Sequence, residues 1–240
     1  MNSLSAVSIL AVGFVQGLRH AVEADHLAAV SAIVSERRSV WSSSLVGGLW
    51  GVGHVFSLLV AGGAVILFDL RIGERAEHVL EFCVGLMLVA LGANALRKLA
   101  RGGHVHLHAH THGGREHVHP HVHDPAPDPD PQTHHGLRLT GARPLLVGMV
   151  HGLAGSAALS LLILSTIESP AVGFAYILVF GVGSVGGMMI MSALVGLPVY
   201  LTAARFNRAN FTLRCLAGLL SLSVGLLMVY ELGFVNGLFR

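Results

Sequence analysis

The 240-residue chain is 53% hydrophobic and only 12% charged, with a mean hydropathy of +0.68 and a formal net charge of +2. Several apolar runs of about 20 residues exclude a soluble enzyme and define a polytopic membrane protein whose first partner is the lipid bilayer. The near-neutral charge gives no footprint for nucleic acid, and arginine outnumbers lysine 14 to one, which serves to orient the chain in a membrane.

Six hydrophobic spans are predicted, at residues 4–34, 43–70, 76–99, 145–167, 171–201 and 211–232. The first carries no lysine or arginine at its start and runs past signal-peptide length, so it is expected to belong to the mature protein. As one helix it would measure about 45 Å, against a hydrocarbon thickness of about 30 Å, and is therefore tilted or broken.

Its middle holds His20-Ala-Val-Glu23-Ala-Asp25-His26, two imidazoles and two carboxylates in seven positions. Ionisable groups at bilayer depth are costly and mark an ion path or a set of partners. These side-chain types hold transition-metal cations. In a regular helix His20 lies three residues from Glu23 and Glu23 three from His26, while Arg19 and Glu23 are four apart and should pair. His20 and His26, six apart, lie about 120° and about 9 Å from each other on an unbroken helix and cannot grip one ion. The helix is therefore expected to unwind near Ala21–Ala24, as binding helices of transporters do; otherwise one histidine stands back from the ion.

In span two, His54 lies among Gly51, Gly53 and Ser57. It is either a ligand arriving from a second helix or a helix–helix hydrogen bond. In span four, His151 is a weaker candidate. Met188, Met189 and Met191 form a soft stripe better read as packing, and the absence of thiolates near the cluster argues against Cu(I).

Basic residues concentrate in the first, third and fifth connections, which places these in the cytoplasm and both termini outside. The third connection, His104 to His135, holds 11 of the 16 histidines, followed by proline and aspartate. It reads as a disordered cytoplasmic loop that buffers metal through interchangeable imidazoles, or as a plain spacer.

The chain also matches itself. Gly13-Phe-Val-Gln16-Gly17 parallels Gly148-Met-Val-His151-Gly152; Gly51-Val-Gly53-His54 parallels Gly181-Val-Gly183-Ser184; Gly85 and Gly92 parallel Gly218 and Gly225. An odd number of spans per copy inverts the second copy. The expected fold class is therefore all-α, with six transmembrane helices as two inverted three-helix repeats: residues 1–99, the loop at 100–141, and 142–240. Ala154-Gly-Ser-Ala-Ala, the counterpart of the charged cluster, is uncharged, so the site is expected to be asymmetric and to belong to the first half.

Arg19-His20-Ala-Val-Glu23-Ala-Asp25-His26-Leu27 resembles the H-x4-D-H signature of the nickel/cobalt transporter (NiCoT) family, and Val52-Gly53-His54 resembles that family's next histidine motif. The resemblance covers the first two spans. It lacks the family's additional leading helix, and Gly152-Leu153-Ala154-Gly155-Ser156 stands where the family has a later motif with Asp, Thr and Glu. The pattern is closer to the shorter branch of urease-accessory nickel permeases. The resemblance implies that His20, Asp25, His26 and His54 recognise the metal.

The expected function is passage of Ni(II) or Co(II) across the inner (plasma) membrane, with no resident cofactor and no enzymatic activity. The expected metal residues are His20, Glu23, Asp25, His26, His54 and His151. A metallochaperone or urease or hydrogenase maturation proteins are possible partners. Uptake is favoured because a dication entering a negative interior gains roughly 4–5 kcal/mol per 100 mV. Efflux by proton antiport through Glu23 or Asp25 is the alternative. Two other classes remain: a thiol–disulfide electron carrier using Cys83 and Cys215, and a metal sensor without flux built on the loop.

Overall fold

The computed structural model describes residues 3–37, 39–68, 73–101, 105–112, 115–122, 142–154, 169–203, 206–236 and 238–239. Seven α-helices are present among them: α1 (Ser3–His20), α2 (Ala24–Val34), α3 (Val40–Phe68), α4 (Glu74–Ala100), α5 (Ala142–Gly152), α6 (Pro170–Ala203) and α7 (Asn207–Tyr230), the last continuing into a wider turn at Glu231–Val235. Among the described residues, four segments are long and apolar enough to cross a membrane: α3, α4, α6 and the continuous stretch Asn207–Val235.

The first apolar run is two helices. α1 stops at His20, and α2 starts at Ala24 after the extended residue Glu23, whose φ and ψ are −65° and 152°. The joint is a tight turn in which the backbone N–H groups of Val22 and Glu23 donate to the carbonyls of Arg19 and His20 at 3.1 Å each. With the axis broken there, Arg19 and Glu23 no longer share a helical face. The expected Arg19–Glu23 pair is absent: Arg19 is exposed and has no ion-pair partner among the described residues.

Apolar side chains point outward and small ones inward, as packing in lipid requires, where no hydrophobic force drives helices together. Val60, Leu67, Leu194 and Leu227 are more than half exposed, whereas Gly47, Gly51, Gly53, Gly183 and Gly187 are buried. α1 packs along α6, α5 along α3, α4 along α7, and α3 along α6. The α4–α7 contact is reciprocal. A Cβ on Gly85 would meet the Gly225 carbonyl and one on Gly225 the Gly85 carbonyl, and Gly92 and Gly218 are similarly opposed. Ser57 Oγ donates to the Met149 carbonyl at 2.8 Å and Ser221 Oγ to the Leu88 carbonyl at 2.9 Å, tying α3 to α5 and α7 to α4.

One expectation needs amendment, and another lies largely outside the described residues. The histidine-rich segment, expected to be structureless, carries a two-stranded antiparallel ribbon, β1 (Val105–His112) with β2 (Arg115–Val122), whose register pairs His106 with His121, His108 with His119 and His110 with His117. Alternation with a period of two is a strand pattern, and here it outweighs the polar composition. Of the fourth predicted span, only the part within α5 and the turn to Ala154 is described; residues 155–168 lie outside the described residues.

Candidate metal centre

The break between α1 and α2 turns the six-residue spacing of His20 and His26 into a close approach. His20 ends α1, while Asp25 and His26 open α2, where a carboxylate is favoured by the helix dipole and Asp25 Oδ1 accepts the His26 backbone N–H at 2.8 Å. The two imidazole centroids are 4.2 Å apart.

α3 brings His54 to the same point and α5 brings His151. Both helices come close because glycine lines their contact: a Cβ on Gly152 would stand 2.8 Å from His54 Cα, and one on Gly148 would stand 2.7 Å from Trp50 Cδ1. No larger residue fits at either position. His26 is the hub, with its ring centroid 4.1 Å from that of His151 and 5.4 Å from that of His54. All four histidines are buried, at 3% exposure or less.

The carboxylates fix which ring nitrogens carry protons. A carboxylate only accepts, so His20 Nδ1–H donates to Glu23 Oε2 at 2.9 Å, His26 Nδ1–H donates to Asp25 Oδ1 at 3.1 Å, and His151 Nε2–H donates to Asp25 Oδ2 at 2.9 Å. That arrangement aims the opposite nitrogens elsewhere as lone pairs, the device by which carboxylates orient metal-binding histidines. Three buried ring nitrogens, His26 Nε2, His54 Nδ1 and His151 Nδ1, have no hydrogen-bond partner among the described residues. Leaving such groups unpaired in an apolar core costs about 1–3 kcal/mol each, a cost that a bound cation would relieve.

His20 Nε2 and His54 Nε2 stand 3.1 Å apart, one donating to the other. Two nitrogens about 2.05 Å from a shared cation would be separated by about 2.9 Å in a square plane and about 3.3 Å in a tetrahedron. The 3.1 Å separation falls within that range, and both nitrogens would serve one ion once the proton between them is displaced. Two sets of three donors each gather their ligand atoms within 4.8 Å: His20, His26 and His54, and Asp25, His26 and His151.

Every expected metal residue therefore lies in or beside one cluster. Glu23, half exposed at 47%, orients His20 and belongs to neither three-donor set. The expectation that the site belongs wholly to the first half is corrected, because His151 from α5 bonds Asp25 directly. Trp50 was not foreseen: it is fully buried, its ring 5.1 Å from His26 and 5.4 Å from His151, and it closes the cluster on the α3 side. The only cue was its place one helical turn before His54. Met188 is fully buried among Ala21, Val46 and Trp50 and acts in packing.

Cys83 and Cys215 are both free. Since Gly85 faces Gly225 and Gly92 faces Gly218, Cys215 lies across from about residue 95, roughly 12 residues or about 18 Å along α4 from Cys83. A disulfide needs Cα atoms within about 7 Å.

Fold and site together define a polytopic, membrane-type helical protein with a buried histidine–aspartate centre at a helix break. The chain is 38% identical over 240 residues, all of its own length and 98% of the relative's, to the urease accessory protein UreH of Bacillus sp. (strain TB-90), and it belongs to that family. It is also similar to the chloroplast protein FOR GROWTH AND FERTILITY 1 of Arabidopsis thaliana, at 27% identity over 219 residues covering 89% of this chain and 56% of that protein. No protein-family model and no solved structure matches the chain.

Proposed function

We propose that the chain is a permease for divalent transition-metal cations, with nickel as its substrate and cobalt as a second, and that the ion passes through the centre formed by His20, Asp25, His26, His54 and His151. The observation that carries this reading is the set of three buried imidazole nitrogens, without a hydrogen-bond partner among the described residues, beside a carboxylate inside an apolar helical body. Neutral imidazoles and one carboxylate replace the water that the ion sheds, and the negative charge opposes that of the dication. Imidazole donors suit nickel, cobalt, zinc and copper alike. Nickel is preferred because the relative's name ties it to urease and because the signature in α1 and α2 resembles that of nickel/cobalt transporters, nearest the urease-accessory nickel permeases. Proteins of urease maturation are the proposed partners on the receiving side.

In this reading the body is six spans in two inverted repeats, residues 1–99 and 142–240, flanking the loop at 100–141. The crossed packing supports it: α1 on α6 mirrors α5 on α3, and in the α4–α7 contact Gly85 and Gly92 oppose their repeat partners in reverse order. Both termini are placed outside the plasma membrane and the histidine-rich loop in the cytoplasm, following the arginine distribution. The proposed direction is uptake, which the membrane potential drives without a coupled ion.

The test is metal flux into proteoliposomes holding the purified chain, with nickel, cobalt, zinc and magnesium compared. Nickel or cobalt should accumulate when the interior is negative, and magnesium should not. Outward movement that requires an inward proton gradient would reverse the direction, and no flux of any metal would end the transport reading.

A further inference from the structure

Seven serines are buried among the described residues, and five of them, Ser31, Ser35, Ser43, Ser57 and Ser221, donate to a backbone carbonyl. The other two, Ser184 and Ser192, have no hydrogen-bond partner among the described residues, and both stand on α6. So does the buried Tyr176, whose hydroxyl is likewise without a partner among them. We propose that the row of α6 carrying these three hydroxyls, where it meets α1 and α3, is the route by which the metal cation reaches and leaves the histidine–aspartate centre, the hydroxyl oxygens accepting hydrogen bonds from the water that the ion still carries. This rests on the transport reading above and deepens it.

The row of every fourth residue, Tyr176, Phe180, Ser184, Met188 and Ser192, winds slowly round α6, from Gly13 of α1 at one end to Gly47 of α3 at the other. Its middle lies beside the centre. The Phe180 ring is 5.6 Å from that of His20, a Cβ on Gly17 would stand 2.9 Å from the Ser184 nitrogen, and Met188 is buried among Ala21, Val46 and Trp50. Gly17 is three residues before His20 and Gly47 seven before His54, so the row meets the sides of α1 and α3 that carry those histidines. Ser184 also holds, in Gly181-Val-Gly183-Ser184, the position that His54 holds in Gly51-Val-Gly53-His54.

A serine within a helix commonly bonds the carbonyl four residues back. For Ser184 and Ser192 those carbonyls belong to Phe180 and Met188, and each lies against a glycine of a neighbouring helix, Gly17 and Gly47 respectively. The hydroxyls stand at three levels about 12 Å apart along the axis, about 24 Å in all, against a hydrocarbon thickness of about 30 Å. Such groups are costly in a dry apolar body. The water ligands of a cation point their hydrogens outward, and a hydroxyl oxygen accepts them. Phe180 and Met188 close the row on either side of Ser184, so polar levels alternate with apolar closures. In the orientation proposed above, Tyr176 is on the outer side and Ser192 on the cytoplasmic side.

The test uses the full-length protein in proteoliposomes. Ser184→Ala and Ser192→Ala remove only a hydroxyl. The melting temperature should hold or rise, because a lone buried hydroxyl is lost, while nickel flux should fall about 3- to 10-fold, the worth of one hydrogen bond to the water of the passing ion. Equilibrium binding of Ni(II) should be retained, since the imidazoles and Asp25 are untouched. Ser221→Ala, which breaks a bond between α7 and α4 away from the row, should do the reverse, lowering the melting temperature and leaving flux per folded molecule unchanged. In a Cys83→Ser and Cys215→Ser background, Tyr176→Cys should react with a charged, membrane-impermeant methanethiosulfonate added outside, and Ser192→Cys with the same reagent on the cytoplasmic side. Ni(II) should slow the reaction of Ser184→Cys.

Unchanged flux in both alanine variants, or no reaction at any of the three cysteines in protein that still transports, would place the route elsewhere and overturn this inference with the transport reading intact. Wild-type protein that moves no metal would remove the transport reading itself, and the route with it.

Discussion

Asp25 Oδ2 and His151 Nε2 lie 2.9 Å apart although 126 positions separate the residues in the chain. That bond joins the start of α2 to the end of α5, and so joins the two halves of the molecule at the metal centre. Asp25 also accepts from His26 through its other oxygen, so one carboxylate sets the tautomer of two histidines. Asp25→Asn keeps the shape but leaves a single acceptor oxygen and no charge. Nickel flux should fall about 10- to 100-fold, the usual cost of disturbing such partners. Radiometric uptake into proteoliposomes measures it, and a circular dichroism spectrum matching wild type shows that the fold is kept.

Glu23 should matter less than Asp25. It holds only His20 Nδ1 and is half exposed, so water can take over the bond. In Glu23→Gln the amide oxygen can still accept from Nδ1, and flux should fall less than about tenfold. A loss as large as that of Asp25→Asn would make Glu23 a ligand rather than a positioning residue.

Much of this centre was legible in the sequence because its cost is local. Four polar groups in an apolar run, and a spacing of six that no regular helix reconciles, pointed to both the site and the break before Ala24. The Arg19–Glu23 pairing failed for the same reason, since i, i+4 proximity presupposes a helix that here stops at His20. His151 was undervalued because its repeat counterpart is Gln16 and no sequence signal joins positions 25 and 151. Trp50 was missed because a tryptophan in an apolar helix looks like packing until the rings beside it are known. The histidine-rich segment was judged by composition, although its alternation already carried the period of a strand.

Binding should weaken as the medium becomes more acidic. Metal and proton compete for the same imidazole nitrogens, so protonating any of the four histidines removes a donor and adds a like charge beside the dication. Metal affinity should therefore rise with pH until the donors are fully deprotonated. Isothermal titration in two buffers of different ionisation enthalpy should also detect proton release on binding. Affinity that was flat or falling as pH rises would mean that the imidazoles are not the donors.

The redox alternative meets its test at Cys83 and Cys215. Both are free, and the helix register separates them by about 18 Å, so neither can reach the other without taking α4 from α7. The double variant Cys83→Ser and Cys215→Ser should transport nickel within about twofold of wild type, as surface changes away from a site do. Loss of transport in this variant while its melting temperature is unchanged would restore a role for the thiols.

The glycine contacts give the sharpest mechanical prediction. A methyl group on Gly152 would meet the backbone of His54, with His54 Cα at 2.8 Å and its carbonyl carbon at 2.9 Å, and backbone cannot rotate aside. α5 would have to move off α3 and carry His151 away from Asp25. Overpacking of this kind costs about 1–3 kcal/mol, so Gly152→Ala should lower the melting temperature and reduce flux more than the stability loss explains. Gly186 in α6 is the control, since a Cβ there meets nothing within 4 Å. Gly186→Ala should leave flux unchanged and, as a glycine replaced within a helix, stabilise by up to about 1 kcal/mol. Differential scanning fluorimetry and proteoliposome uptake on both variants decide the matter. Equal behaviour would show that the α3–α5 contact does not set the position of His151.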